Sequence, residues 1–389
     1  MKVAIVGASA AGIYAALLIK AGHPDWEVAL FDHNAKIGKK ILSTGNGHCN
    51  LLNTEVGAES YSNPEFVRPM LRKHSYNELK NILNLFGIPT QTIDSLVYPL
   101  TYSAASVVHV LTLNLKKAGV KVLVNEDFLG YSLSKGKILV KTYGKEEPYD
   151  RLVLATGGKS QKALGSDGSV FPILEKHGYK ITSINQGLCP IKTKEDTKVL
   201  SGIRHKGSVT LLYGGNTLYQ ENGEVLFKRD GLSGIAIFNC SSYIARQNPK
   251  NSYMVLLDLF PEKSLDELIR LAEEAYSSLG ENFLDAILEK GLAQYLLADV
   301  EITKPSKSDI PMLCRMMKSL KFHYDGLYPF DQSQISVGGI AVSELTPSLE
   351  SRREKGVFFA GEMIDVDGLC GGYNLTWCLL SALVVSEGI

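Results

Sequence analysis

The chain has no excess of either charge: 41 lysines and arginines balance 41 aspartates and glutamates, with a pI of about 7.1. That balance argues against a nucleic-acid partner, which calls for a basic excess, and removes long-range steering of anions. Paired cysteine motifs are also missing. Cys49, Cys189, Cys240, Cys314, Cys370 and Cys378 stand far apart with no C-x-x-C among them. This excludes a zinc ribbon, a thioredoxin-like site and an iron–sulfur run. In a chain of this size they read as free thiols in a reducing compartment, so a cytoplasmic location is expected. No H-x-x-x-H pair occurs among the eight histidines, and no metal site is expected. A long apolar run is missing too. Residues 3–19 carry no charge, but Gly7 and Gly12 interrupt them and only Lys2 precedes them as a basic residue. A membrane span needs about 20 predominantly apolar residues, and a signal peptide a basic leader, so no membrane partner is expected.

What remains is a soluble-enzyme composition, 45% hydrophobic and 21% charged over 389 residues, enough for two to three domains. Residues 2–6 are β-branched and apolar, as a strand buried on both faces requires. A glycine-bearing turn follows, then a helical run over 13–20 and a second strand over 26–31 ending at Asp32. That is a βαβ unit of about 30 residues. Further on, 64–86 and 104–118 read as helices, and 120–124, 128–134, 137–143 and 151–155 as strands, the middle two forming a hairpin. After residue 184 short strands joined by Gly–Gly–Asn and Asn–Gly turns take over. Ser264 with Glu267 forms a capping box that opens an amphipathic helix, and a second helix is expected over 283–297. A strand over 356–360 and an apolar terminal helix restore the α/β texture. We therefore expect a first part of a dinucleotide-binding domain at 1–184 and a β-rich insert at 185–260. A helical subdomain at 261–310, a return through the insert at 311–325 and the second part of the domain at 326–389 complete the order.

Gly7–Ala8–Ser9–Ala10–Ala11–Gly12 is the strongest local signal. Gly7 permits the tight turn, Gly12 lets helix and sheet approach, and the helix N-terminus from Ala11 onward offers N–H groups to a pyrophosphate. Ser9 replaces the usual middle glycine but brings a hydroxyl donor. Asp32, twenty residues past Gly12, suits ribose hydroxyls and repels a 2′-phosphate. Gly158–Lys159–Ser160 ends like a P-loop, but Val153 occupies the place of its first glycine, and that reading is discounted. The fingerprint by itself leaves NAD and FAD open.

Three segments decide between them by resemblance. Residues 39–50, KKILSTGNGHCN, resemble the K-x-x-x-S-G-x-G-R-C-N stretch of the bacterial BaiN/RdsA-like FAD-dependent oxidoreductases, which include aminoacetone oxidases. Residues 154–160 with 165–168 resemble its A-T-G-G-x-S…G-S-x-G segment, and 361–375 its G-E-x-x-D-x-x-G-x-x-G-G-Y-N-L signature. The resemblance spans essentially the whole chain, departing at Ser9 and at His48, where the family has arginine. It implies a glutathione-reductase-like (Rossmann) FAD-binding domain with an inserted β-rich domain and small helical subdomain. Non-covalent FAD is implied, contacted by Lys40, Thr44, Gly45 and Asn50 from the first segment and by Thr156 and Gly157 from the second. From the last segment come Gly361 and Glu362, a ribityl acceptor, and Gly371, Gly372, Tyr373 and Asn374 at a helix start near the flavin N1–C2=O edge. His48, Cys49 and Tyr373 are the catalytic candidates.

The implied activity is either oxidation of a small amine with hydrogen peroxide formed, or reduction of an unsaturated substrate by NAD(P)H. Backbone donors at Gly371–Gly372 would favour anionic reduced flavin, which suits oxygen as well as hydride uptake; the resemblance to amine-oxidising members makes the oxidase direction the expectation. No second dinucleotide fingerprint occurs, so NAD(P)H would visit only transiently. A non-catalytic flavin sensor is the rival of another class. Substrate identity and oligomeric state are not legible.

Overall fold

A computed structural model describes residues 1–389 as two compact units, one formed by residues 1–185 and 335–389, the other by 186–334. In the first unit, five apolar runs form a parallel sheet. They are β1 (Lys2–Val6), β2 (Glu27–Asp32), β3 (Lys121–Val124), β4 (Arg151–Leu154) and β5 (Val357–Phe359), in spatial order β5–β4–β1–β2–β3. β1 takes the centre, in register with β2 from Lys2↔Glu27 to Val6↔Phe31 and with β4 from Val3↔Arg151 to Val6↔Leu154. Parallel strands are joined by crossovers that cover the sheet faces, which is why β1 is apolar at nearly every position.

Helix α1 (Ala10–Gly22) follows β1, and α2 (Tyr373–Gly388) closes the chain against it. α2 is apolar on almost every side and correspondingly buried. Trp377 is its anchor: the indole N–H donates to Gly361 O at 3.1 Å, while the Ser381 hydroxyl accepts from Gly361 N at 2.9 Å. These bonds hold the turn after β5 against the helix that starts at Gly372.

Two local readings change. The helix expected over 64–86 breaks into Pro64–Lys73 and Tyr76–Leu85, because the Ser75 hydroxyl accepts from Glu78 N at 3.3 Å and caps a new helix. The expected hairpin, Phe128–Ser134 with Lys137–Thr142, is present but gains a third strand, Lys145–Tyr149, before the run at 151–154 joins the main sheet. Its third strand, KEEPY, has little β-propensity, and its proline is tolerated at a sheet edge.

The second unit is a closed antiparallel barrel. Around it run Ile191–Thr193, Gly231–Ser233, Asn216–Lys228, Arg204–Tyr213, Tyr253–Asp258 and Leu320–Leu327. Closure removes sheet edges. The Ser264 capping box is present and opens the helix Leu265–Leu279. The helix expected over 283–297 is instead a 3₁₀ stretch, Gly280–Ala286, followed by Lys290–Asp299. A helix that sequence reasoning passed over, Ile235–Gln247, buries Ile237, Cys240 and Ile244 in the barrel core. The fold is thus the expected Rossmann-type class carrying a β-rich insert.

Candidate active site

The site grows from the turn between β1 and α1. Gly7 has φ +102°, and a Cβ there would lie 2.3 Å from Ala155 O; one on Gly12 would lie 1.8 Å from Gly7 O. Neither position accepts a side chain. Ser9 is the N-cap of α1, but its hydroxyl makes no cap bond, and the first-turn N–H groups lack intrahelical partners. Ala11 is buried, its Cβ 2.7 Å from the place a Cβ on Gly361 would take. The result is a concave, donor-rich turn with positive helix-dipole character, suited to a diphosphate.

Asp32 ends β2 beside this turn. Its Oδ2 accepts from Ala8 N at 2.7 Å, and its Oδ1 accepts from Asn34 N at 2.8 Å and Asn34 Nδ2 at 2.9 Å. A carboxylate has about four acceptor positions, so three protein donors leave little spare capacity. Beyond Asp32, a Cβ on Gly165 would lie 2.2 Å from Asn34 Nδ2, and one on Gly157 would lie 3.1 Å from Ser166 Oγ. That buried Ser166 hydroxyl has no partner. Asp32, Asn34, Gly157 and Gly165–Ser166 therefore converge on one end of the cradle. Thr156 sits alongside with its hydroxyl 3.9 Å from Met363 Sδ.

Directly after Gly157 a polar knot forms. Lys40 Nζ donates to Glu362 Oε2 at 2.7 Å and to Ser160 Oγ at 2.8 Å; Ser336 N donates to Glu362 Oε1 at 2.9 Å. Ser336 Oγ in turn accepts from Lys159 N at 2.6 Å and Ser160 N at 3.0 Å. A Cβ on Gly158 would run into Ser336 and Glu362. Sequence reasoning named Lys40 and Glu362 separately; it did not name Ser160 as a contact, nor Ser336 at all. Ser160 lies in the 154–160 segment, and Ser336 stands just before Val337–Gly338–Gly339–Ile340.

The third part surrounds Gly371 (φ +126°) and Gly372 (φ +92°), which open α2. A Cβ on Gly372 would lie 2.8 Å from both Asn50 Oδ1 and Leu52 O. Asn50 Oδ1 is buried without a partner. Asn53 Nδ2 donates to Gly371 O at 2.9 Å, and the Tyr61 hydroxyl to Tyr373 O at 2.9 Å. Asn374 pairs both ends of its amide with the backbone of Gly368, each at 2.9 Å, so it shapes the glycine turn. Gly45 (φ +54°) lies against Asn50, while the Thr44 hydroxyl turns back to Ile41 O at 2.6 Å.

Of the catalytic candidates, Cys49 is fully buried, and burial pushes its thiol up to about 11. Tyr373 is buried beneath the turn. His48 is half-buried and stacks on Tyr102. A separate cluster, distant in sequence, brings His74 within 3.3 Å of Glu78 and 3.4 Å of Glu387, with Lys73 also on Glu387.

The profile of the HI0933-like protein Rossmann domain matches residues 1–388. The chain belongs to that family. It is 32% identical to a 3-dehydro-bile acid delta(4,6)-reductase of Clostridium scindens, covering 97% of this chain and 96% of the relative. It is 28% identical to a ribosomal RNA dihydrouridine synthase of Escherichia coli, covering 99% and 97%. Among solved structures, a 3-ketosteroid delta1-dehydrogenase from Sterolibacterium denitrificans superposes with a TM-score of 0.54 at 10% identity, covering 99% of this chain and 98% of that one. As a member of the HI0933-like family the chain is an oxidoreductase with a Rossmann-type domain. None of its helices is long and apolar enough to cross a membrane.

Proposed function

We propose that this chain reduces a carbon–carbon double bond conjugated to a carbonyl in a small flat molecule, using FAD and a transient NAD(P)H donor. The observation that carries this reading is that two relatives, each matched over nearly its whole length, bear names describing hydrogenation of such a bond. The expected amine oxidation with hydrogen peroxide formation has no counterpart in those names, so the reductase direction takes precedence.

The first unit supports the cofactor assignment. The cradle at Gly7 and Gly12 closes if either gains a Cβ, while the unpartnered Ser166 hydroxyl faces Gly157 and the unpartnered Asn50 carbonyl faces Gly372. In this reading Gly7, Ser9 and Gly12 hold the diphosphate, and Asp32 with Gly157 the adenosine end. Lys40 and Glu362 hold the ribityl chain, and Gly371–Gly372 with the α2 N-terminus the N1–C2=O edge. FAD supplies hydride transfer when bound. The chain's own part is to orient the ring, keep water out and favour negative charge at the α2 N-terminus through its dipole.

The even charge balance supports a small molecule over an RNA. Six free thiols support a reducing, cytoplasmic setting. Incubation with NADH or NADPH and a conjugated cyclic ketone tests the reading by mass spectrometry: a product with two added hydrogens is expected. An unchanged ketone, together with hydrogen peroxide from a small amine, would reverse the assignment.

A further inference from the structure

Three rings lie together beside the glycine turn, and nothing in the cofactor assignment uses them. His48 stacks on Tyr102 with centroids 4.0 Å apart and planes 17° from parallel, and Tyr98 meets Tyr102 at 4.9 Å and 64°. The group borders the flavin-edge segments directly. Tyr98 Cε1 lies 3.7 Å from the place a Cβ on Gly45 would take, and Leu96, two residues back on the same strand face, has Cδ2 3.5 Å from that place on Gly371. Burial and the neighbouring Tyr102 and Cys370 raise the Tyr98 hydroxyl above its usual range, which also places Cys370 beside it.

The ledge is costly to build. Tyr102 has φ 52°, and in the adjoining loop Asn46 has φ 53° and Cys49 φ 61°, left-handed values that non-glycine residues avoid. Tyr102 nevertheless remains 39% exposed, so burial of its ring does not account for the arrangement. The imidazole locks it: His48 Nδ1 bonds Tyr102 O at 3.0 Å, tying the backbone of the residue whose ring it covers. A carbonyl only accepts, so Nδ1 carries a hydrogen and Nε2 remains for a ligand. A half-exposed aromatic surface, fixed in place by a strained backbone, is what a flat ring stacks on.

We propose that His48, Tyr98 and Tyr102 form the seat for the substrate's planar conjugated ring, and so select flat molecules over puckered ones. This rests on the reductase reading for the class of ligand, but not on turnover for its test. Stacking area falls when a ring puckers, so a 4-en-3-one steroid should bind more tightly than its ring-saturated analogue.

Calorimetric titration of the holoenzyme with both steroids separates the possibilities. Wild type is expected to prefer the planar steroid by about tenfold or more. Tyr102→Ala and His48→Leu should each weaken the planar steroid about tenfold and leave the saturated one nearly unchanged, and Tyr102→Phe should restore the preference. Equal weakening of both steroids, no effect of the variants, or no binding of the planar steroid to wild type overturns the seat. Ledge-dependent binding without any reduction of the steroid would instead sink the reductase reading and leave the seat standing. Variants that slow flavin reduction by NADH at unchanged steroid affinity would reassign the ledge to the nicotinamide, and overturn it as the substrate's.

Discussion

Lys40 Nζ and Glu362 Oε2, 322 positions apart in the chain, meet at 2.7 Å with side chains only 17% and 16% exposed. The pair fastens the loop after β2 to the turn after β5, and Ser160 and Ser336 satisfy the remaining contacts. Removing one partner of such a pair leaves the other charge poorly solvated, at a cost of about 3 kcal/mol. Lys40→Met is therefore expected to lower both thermal stability and FAD affinity. The double variant Lys40→Met/Glu362→Gln should recover part of the stability without recovering the affinity. A double-mutant cycle by calorimetry and flavin titration checks this; strictly additive stability losses would show the pair is not coupled.

The glycines of the cradle give a sharper contrast. Gly12→Ala places a Cβ against Gly7 O, whereas one at Gly22, on the same helix, meets nothing within 4 Å. Gly12→Ala should purify with little or no flavin and a reduced melting temperature. Gly22→Ala should be neutral or stabilising by up to about 1 kcal/mol. Flavin-to-protein ratios and melting curves read both, and equal behaviour of the two variants contradicts the cradle.

Much of this was legible in the sequence, because the signals are local. Gly7, Gly12 and Asp32 sit in one short βαβ unit, and 361–375 is a contiguous signature. The failures follow a physical pattern. Ser336 acts through a bond to Glu362 and stands just outside Val337–Gly338–Gly339–Ile340, a glycine segment that by itself names no contact. Ile235–Gln247 is rich in serine and β-branched residues, which have weak helix propensity, and tertiary burial overrides it. The break at Ser75 was signalled by S-x-x-E but hidden inside a continuous helical pattern. The three-ring ledge needed coordinates, since stacking joins residues 48, 98 and 102 across separate turns.

Asp32 shows why a motif residue has more than one task. Asp32→Ala removes the acceptor for a ribose hydroxyl and also frees Ala8 N and the Asn34 amide. Losing a bond to a charged group costs about 1.5–3 kcal/mol, so FAD affinity should fall roughly ten- to a hundredfold. The apoprotein should lose stability as well. Unchanged apoprotein melting alongside weakened flavin binding would confine Asp32 to the ribose.

Alkaline pH probes the packing of the thiols. Burial pushes Cys49 and Cys314 up to about 11 and Cys378 up to about 12, against about 8.5 in an unfolded chain. Between those values the folded state keeps protons that the unfolded state releases. The stability from this source is whole below about pH 8.5 and is lost as pH rises toward 11. Denaturant midpoints under reducing conditions should therefore fall more steeply from pH 8 to pH 10 in wild type than in Cys49→Ala. Parallel slopes would mean the thiol is not held protonated by the fold.

The most direct test of the account is anaerobic rapid mixing of the purified holoenzyme, followed at the flavin absorbance band. NADH or NADPH should bleach the flavin, and a conjugated cyclic ketone added without oxygen should restore the colour with reduction of its double bond. Bleaching by a small amine but by neither nicotinamide, with recovery only when oxygen is admitted, would contradict it.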